Sequence, residues 1–148
     1  VFVAIELRQN TYMLRRSMAD QREERINWMQ ESIVLDPDFR KFHSRLSEWE
    51  DFDDDERVRG FTLGIRALRS LLNETVAYFD GQISENEFRL LKWGMTTAKG
   101  RPHIEAAYEF IKEAYPEPVQ KFWEGLEVRE GQSKYGEIKK ALSRGKRD

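Results

Sequence analysis

The stretch from Asp53 to Gly81 constrains this chain more than any other. Its apolar residues fall at Val58, Phe61, Ile65, Leu68, Leu72, Val76 and Phe79, in steps of three and four. That spacing puts all seven on one stripe of an α-helix and does not fit the alternation that a half-buried strand requires. Both ends are punctuated. Asp53 can accept from the free backbone N–H groups of the first turn while Glu56, three residues on, reaches back, the pattern of a capping box. Asp80-Gly81 supplies a residue that tolerates the left-handed conformation of a C-terminal cap. A helix of about 53–80 with an apolar stripe must bury it against other elements, and the flanking sequence also reads as helices. The expected fold is therefore all-α: an irregular helical bundle with a long N-terminal helix and this segment as its core helix.

Composition narrows the classes. The 148 residues fit one domain with a core large enough to need no covalent staples. No cysteine is present, which removes disulfides, thiolate metal sites and cysteine nucleophiles together. Lys and Arg number 25 against 27 Asp and Glu, so no global positive field draws the chain onto nucleic acid, and no nucleic-acid partner is expected.

From Val1 to about Leu35 neither Gly nor Pro interrupts the chain, and Leu7, Leu14, Met18, Met29 and Ile33 share a drifting helical face. This predicts one long helix over 1–35. Its middle, from Asp20 to Arg25, is too polar to be enclosed on all sides, while Trp28 and Met29 return it to the core. The start is different. Val1, Phe2, Val3, Ala4 and Ile5 form an apolar run far short of the roughly 20 residues that cross a bilayer. Arg8, Arg15 and Arg16 follow, as at the cytoplasmic exit of a membrane helix. The other reading of these residues is an amphipathic helix end packed in a soluble core.

Asp36-Pro37 breaks the long helix and opens a short one, with Asp36 as its cap and Pro37 at its first position. Phe39, Phe42, Leu46 and Trp49 continue the three-and-four spacing. Seven acidic side chains then crowd the span from Glu48 to Glu56. An EF-hand loop needs Gly at its sixth and Glu at its twelfth position; counted from Asp51 these are Glu56 and Thr62, so a solvated, helix-capping linker is expected instead. Beyond the core helix, Ser84 and Glu87 form a second capping-box pattern, opening a helix that carries Phe88, Leu91, Trp93 and Met95 and ends at Gly100-Arg101-Pro102. His103 to Tyr115 groups Ile104, Ala107, Tyr108 and Ile111, and after Pro116-Glu117-Pro118 comes a last packed turn or short helix with Val119, Phe122, Trp123 and Leu126. The bundle core thus spans 36–130. Over 131–148, Lys134, Lys139, Lys140, Arg144, Lys146 and Arg147 make a basic tail.

The chain carries no catalytic signature. His43 and His103 are its two imidazoles, neither stands in a spacing that brings two metal ligands to one helical face, and each reads as a surface or helix-end residue. Phosphate-cradling and nucleophile-elbow motifs are absent. No catalytic, metal or cofactor-binding residue is expected, and no cofactor. One polar constellation stands out on the core helix. Arg59 and Arg66 are seven apart on nearly one azimuth, Arg69 follows by three, and Glu74 with Asn73 lies further on. Arg59, Arg66, Arg69 and Glu74 form a candidate surface for an anion or an acidic partner helix, unless the guanidiniums pair with the chain's own carboxylates.

Several short pieces occur in an order that resembles a broad group of uncharacterised small bacterial proteins, many with one N-terminal membrane helix and an all-α soluble part. They are Glu6-Leu7-Arg8-Gln9-Asn10 after an apolar end, Asp36-Pro37-Asp38-Phe39, Asp55-Glu56-Arg57-Val58-Arg59, Asn73-Glu74, and Tyr78-Phe79-Asp80-Gly81 followed by Phe88 and Trp93. The resemblance covers most of the chain through Leu126 and implies an architecture and a membrane anchor; it implies no reaction. The expectation is a non-enzymatic helical interaction module. It would be an accessory or scaffold subunit held at the cytoplasmic face of the inner membrane through Val1, Phe2, Val3, Ile5, Arg8, Arg15 and Arg16, with protein partners and room for homo-oligomers. The alternatives are a cytoplasmic, soluble ligand-binding or enzymatic bundle using the Arg/Glu surface, and an adaptor whose acidic linker or basic tail binds charged partners.

Overall fold

The computed structural model describes residues 2–128. Val1 and the basic tail expected over 131–148 lie outside the described residues. Within them the chain is all-helical and contains no strand. The helices are α1 (Phe2–Leu35), α2 (Pro37–Ser44), α3 (Asp54–Phe79), α4 (Glu85–Ala98), α5 (Pro102–Ile111) and α6 (Glu117–Glu124). Two 3-10 segments, Leu46–Asp51 and Lys112–Ala114, join α2 to α3 and extend α5.

The punctuation read from the sequence governs the ends. Asp36 accepts from the backbone N–H groups of Asp38 and Phe39, both at 3.0 Å, with Pro37 at the first helical position of α2. At the start of α3 the Glu56 N–H donates to Asp53 at 2.8 Å and the Asp53 N–H donates to Glu56 at 3.1 Å, closing the capping box. Ser84 and Glu87 repeat the device at α4. Gly81, at φ +75°, follows the C-terminal cap of α3, where a β-carbon would be strained even though nothing crowds it.

Helix α3 is the spine, and its buried face differs from the expected stripe. Leu68 and Leu72 are enclosed as anticipated, but Val58 is 63% and Phe79 48% exposed, while Gly60, Leu63, Gly64, Thr75 and Ala77 are buried. The reason is that α3 is covered from different directions along its length. Near its start, Leu63 joins Phe42, Leu46 and Phe52 in a small cluster flanked by Trp28, Phe39 and Trp49. Further along, Leu68, Leu72 and Ala77 join a larger core with Phe88, Leu91 and Met95 of α4, Ile104, Ala107 and Tyr108 of α5, and Val119 and Trp123 of α6. A single straight stripe cannot serve neighbours that sit at different azimuths.

The closest helix approach is between α3 and α5. A β-carbon at Gly64 would stand 2.3 Å from the His103 carbonyl oxygen and 3.3 Å from the Ala107 β-carbon, so Gly64 lets the two backbones meet. The last helix is fastened by a side chain from elsewhere: Lys99 Nζ donates to the carbonyl oxygens of Trp123, Glu124 and Leu126 at 2.7–2.8 Å. Trp123 and Glu124 close α6 and Leu126 follows its cap, so the cation stands against the negative end of the helix. Trp93, grouped with the apolar residues of α4 in the sequence reading, is 44% exposed because Leu91 and Met95 supply the face turned to the core.

Candidate functional site

Two features of the surface lie outside this packing, one on the outer half of α1 and one that begins at Trp28 further along the same helix. The first is the outer half of α1. Every residue from Phe2 to Ser17 is exposed, including Phe2, Val3, Ile5, Leu7, Tyr12, Met13 and Leu14. Sixteen helical residues reach about 24 Å at 1.5 Å each, so α1 extends a stalk of that length away from the bundle. The soluble-core alternative for this end is therefore not what the fold does with it. Large apolar side chains left in water over such a length are a surface that awaits cover. Leu7 and Leu14, placed on the helical face in the sequence reading, have no core to enter. Among the described residues no helix is long and apolar enough to cross a membrane.

The second feature is a groove at the foot of that stalk. Trp28 of α1, Phe39 and Phe42 of α2, and Val58, Arg59, Thr62, Leu63 and Arg66 of α3 line an open cleft of about 320 Å³. Its floor is aromatic and aliphatic. Its α3 wall carries two cations held in the same way: the Arg59 guanidinium lies 4.5 Å from the centre of the Phe42 ring and that of Arg66 lies 3.7 Å from the centre of the Trp28 ring. Trp28 in turn packs edge-on against Phe39 at 6.0 Å between centroids. The aromatic rings thus position both guanidiniums by their faces.

The acidic linker pairs with other arginines. Arg45 takes up Glu48 and Glu56, and Arg57 approaches Glu50 at 3.9 Å while donating to its backbone carbonyl at 3.2 Å. Of the linker carboxylates, Asp53 and Glu56 cap α3 and Glu48, Glu50 and Glu56 make these pairs, and among the described residues no group of three acidic or histidine side chains is arranged to hold a metal. Pairing with the chain's own carboxylates accounts for Arg45 and Arg57. It does not account for Arg59 or Arg66, neither of which, among the described residues, has a carboxylate within 4.0 Å.

The four residues singled out in the sequence therefore part company. Arg59 and Arg66 share the groove. Arg69 stands instead beside the Tyr115 hydroxyl, which donates to Asn73 at 2.9 Å; burial raises the Tyr115 pKa and Arg69 opposes that rise. Glu74 is buried in the second half of α3, outside the groove lining. What the sequence did not reveal is the aromatic half of the site: Trp28 and Phe42 read as core residues, and nothing in their spacing pairs them with particular arginines thirty-eight and seventeen positions away.

The histidines stand at helix ends as expected, His43 in the last turn of α2 and His103 in the first of α5, with His103 buried and His43 half-buried. Burial, then Arg101 and His43, push the His103 pKa down to about 4, and burial with Arg101 also lowers that of His43. Arg101 is itself lowered by burial. Three cationic candidates thus share one junction, where the buried His103 stays neutral at ordinary pH and the half-buried His43 is shifted in the same direction.

No protein-family model, curated protein or solved structure matches this chain.

Proposed function

We propose that this protein is a non-enzymatic helical interaction module, an accessory or scaffold subunit whose bundle is carried on α1 and held by the outer end of that helix at the cytoplasmic face of the inner membrane. One observation carries the reading: the exposed outer half of α1, with Phe2, Val3, Ile5 and Leu7 at its far end and Arg8, Arg15 and Arg16 behind them. Apolar residues at the end of a projecting helix favour the bilayer boundary, and arginines next to them favour the anionic cytoplasmic leaflet. The groove at the base supplies a second contact surface facing away from the packed core. A ligand-binding or enzymatic bundle would call for Arg59, Arg66, Arg69 and Glu74 around one enclosed cavity, and the open groove holds only the first two.

Two measurements on the native protein test this. On cell fractionation it is expected in the inner-membrane pellet, released by detergent and retained in high salt; recovery in the soluble fraction overturns the membrane attachment. With a photoreactive residue at the exposed Thr62 position, irradiation of cells is expected to give a discrete crosslinked species. Its absence there and at Val58 overturns the interaction role.

A further inference from the structure

The geometry points to the occupant of the groove: a short amphipathic helix of a partner protein with two carboxylates seven residues apart and large apolar side chains between them. This rests on the reading of the chain as an interaction module and names the chemistry of what it engages. A guanidinium lying face-on to a ring spends its π-face and leaves its in-plane N–H donors directed outward, the arrangement that suits bidentate capture of a carboxylate. The guanidinium carbons of Arg59 and Arg66 lie over the Phe42 and Trp28 rings, 4.5 and 3.7 Å from their centres, the placement from which such a fork can be offered. Seven residues of α3 separate them by about 10 Å along the helix axis. A partner helix lying along α3 meets both only with acidic residues at the same spacing, and the residues three and four positions between then face Leu63, Phe39 and the exposed Val58.

Charge and composition select this occupant over others. The chain's own C-terminal segment is a poorer match: its one acidic pair at that spacing, Glu130 and Glu137, encloses Gly131 and Gly136 with Tyr135 as the single large ring, and Lys134, Lys139, Lys140, Arg144, Lys146 and Arg147 around it have the wrong sign for two arginines. A flat anionic bilayer laid over the groove would also press on Asp53, Asp54 and Asp55 at the exposed start of α3, whereas a single helix can place its acidic residues on the arginines and leave that end clear. The groove volume of about 320 Å³ is at the small end for an enclosed ligand and suits apolar side chains inserted from one side.

The test is a selection of displayed random 16-residue peptides against the full chain, followed by affinity measurement on synthetic versions of the winners. The winners are expected to carry Asp or Glu at positions i and i+7 flanking Leu, Phe or Trp. Their affinity should fall with salt and drop at least tenfold in R59E/R66E, while the lysine variant R59K/R66K, which keeps charge and loses the planar fork, loses several-fold. Far-UV circular dichroism of both variants checks that the bundle is intact. Neutral or basic winners, or acidic winners that bind R59E/R66E equally well, overturn the proposal. So does equal, Arg-dependent binding to phosphatidylglycerol vesicles, or a self-association of the chain that R59E/R66E abolishes, since the groove then belongs to lipid or to a second copy. These readouts use protein in solution, so loss of the membrane attachment in cells would leave them unchanged, and their failure would leave the fractionation result standing.

Discussion

The two halves of α3 are built from the same kind of sequence and meet opposite fates. Along 68–79 the helix is enclosed by α4, α5 and α6, and Leu68, Leu72, Thr75, Met95 and Trp123 are at most 1% exposed. Along 58–66 it is covered by α2, the 3-10 segment and the foot of α1 and, at Phe61 and Gly64, by α5, while its remaining side is left open as the groove with Arg59 and Arg66. The closed half owes its stability to removal of apolar area from water. The open half keeps aromatic rings half-buried and uses them to hold cations. A stable core thus adjoins a surface that is ordered without being saturated, which is what a docking site needs.

The largest effect expected from breaking this comparison is in the closed half. Trp123→Ala should lower unfolding free energy by about 3–5 kcal/mol, the usual range for an aromatic removed from a fully enclosed site. Trp28→Ala, at the groove, should cost about 1 kcal/mol, because the ring is half-exposed and the void it leaves opens to solvent. Urea denaturation followed by circular dichroism reads both. If the two substitutions cost the same, the halves of α3 are not energetically distinct and the groove is simply a thin part of one core.

A second, smaller effect follows from the buried junction at the start of α5. In the unfolded chain the His103 imidazole takes up a proton near its ordinary 6.5; in the folded protein it does so only near 4. Between those values the unfolded state binds the extra proton, so stability falls as pH drops through that window and is fully present above 6.5. At about 1.4 kcal/mol per tenfold step the loss by pH 4 is roughly 3 kcal/mol from this group at most, with a further contribution of the same sign from His43. Chemical denaturation at a series of pH values should show that slope, and His103→Gln should flatten most of it. An unchanged slope in the variant would place the sensitivity elsewhere. Affinity of an acidic peptide for the groove should hold over the upper part of the same window and fall only toward pH 4, where the peptide's own carboxylates take up protons.

The sequence made the helices legible because their ends are written locally. Asp36, Asp53 with Glu56, Ser84 with Glu87, and Gly81 each act within three or four residues of themselves, and all four sit where they were read. The buried side of α3 was less legible. Periodicity reports which residues share an azimuth and says nothing of how many neighbours arrive or from where, so Val58 read as core and Gly64 passed unnoticed until α5 lay against it. The fastening of α6 by Lys99 is long-range in the same sense, its partners lying more than twenty positions away, and so is the approach of α3 to His103 from about forty positions back, although Arg101 acts on that imidazole from two residues away. Of the candidate site, the arginine pair was legible from its spacing of seven, while the aromatic rings that position it were not, since they arrive from α1 and α2.

The smallest effect is the one that decides whether the groove is preformed. Arg66→Ala removes a cation 3.7 Å from the centre of the Trp28 ring but breaks no ion pair found among the described residues, so its cost should be only about 0.5–1 kcal/mol. The informative quantity is the coupling. In a double-mutant cycle with Trp28→Ala, the two substitutions together should cost less than their sum by about the same 0.5–1 kcal/mol, because either one alone already abolishes the stacked pair. The parallel cycle of Arg69→Ala with Trp28→Ala should show almost none, Arg69 being engaged at Tyr115. A vanishing coupling for Arg66 would mean that the guanidinium leaves the ring in solution; the α3 wall would then have to be assembled anew at each encounter, and tight recognition of a carboxylate there would lose its physical basis.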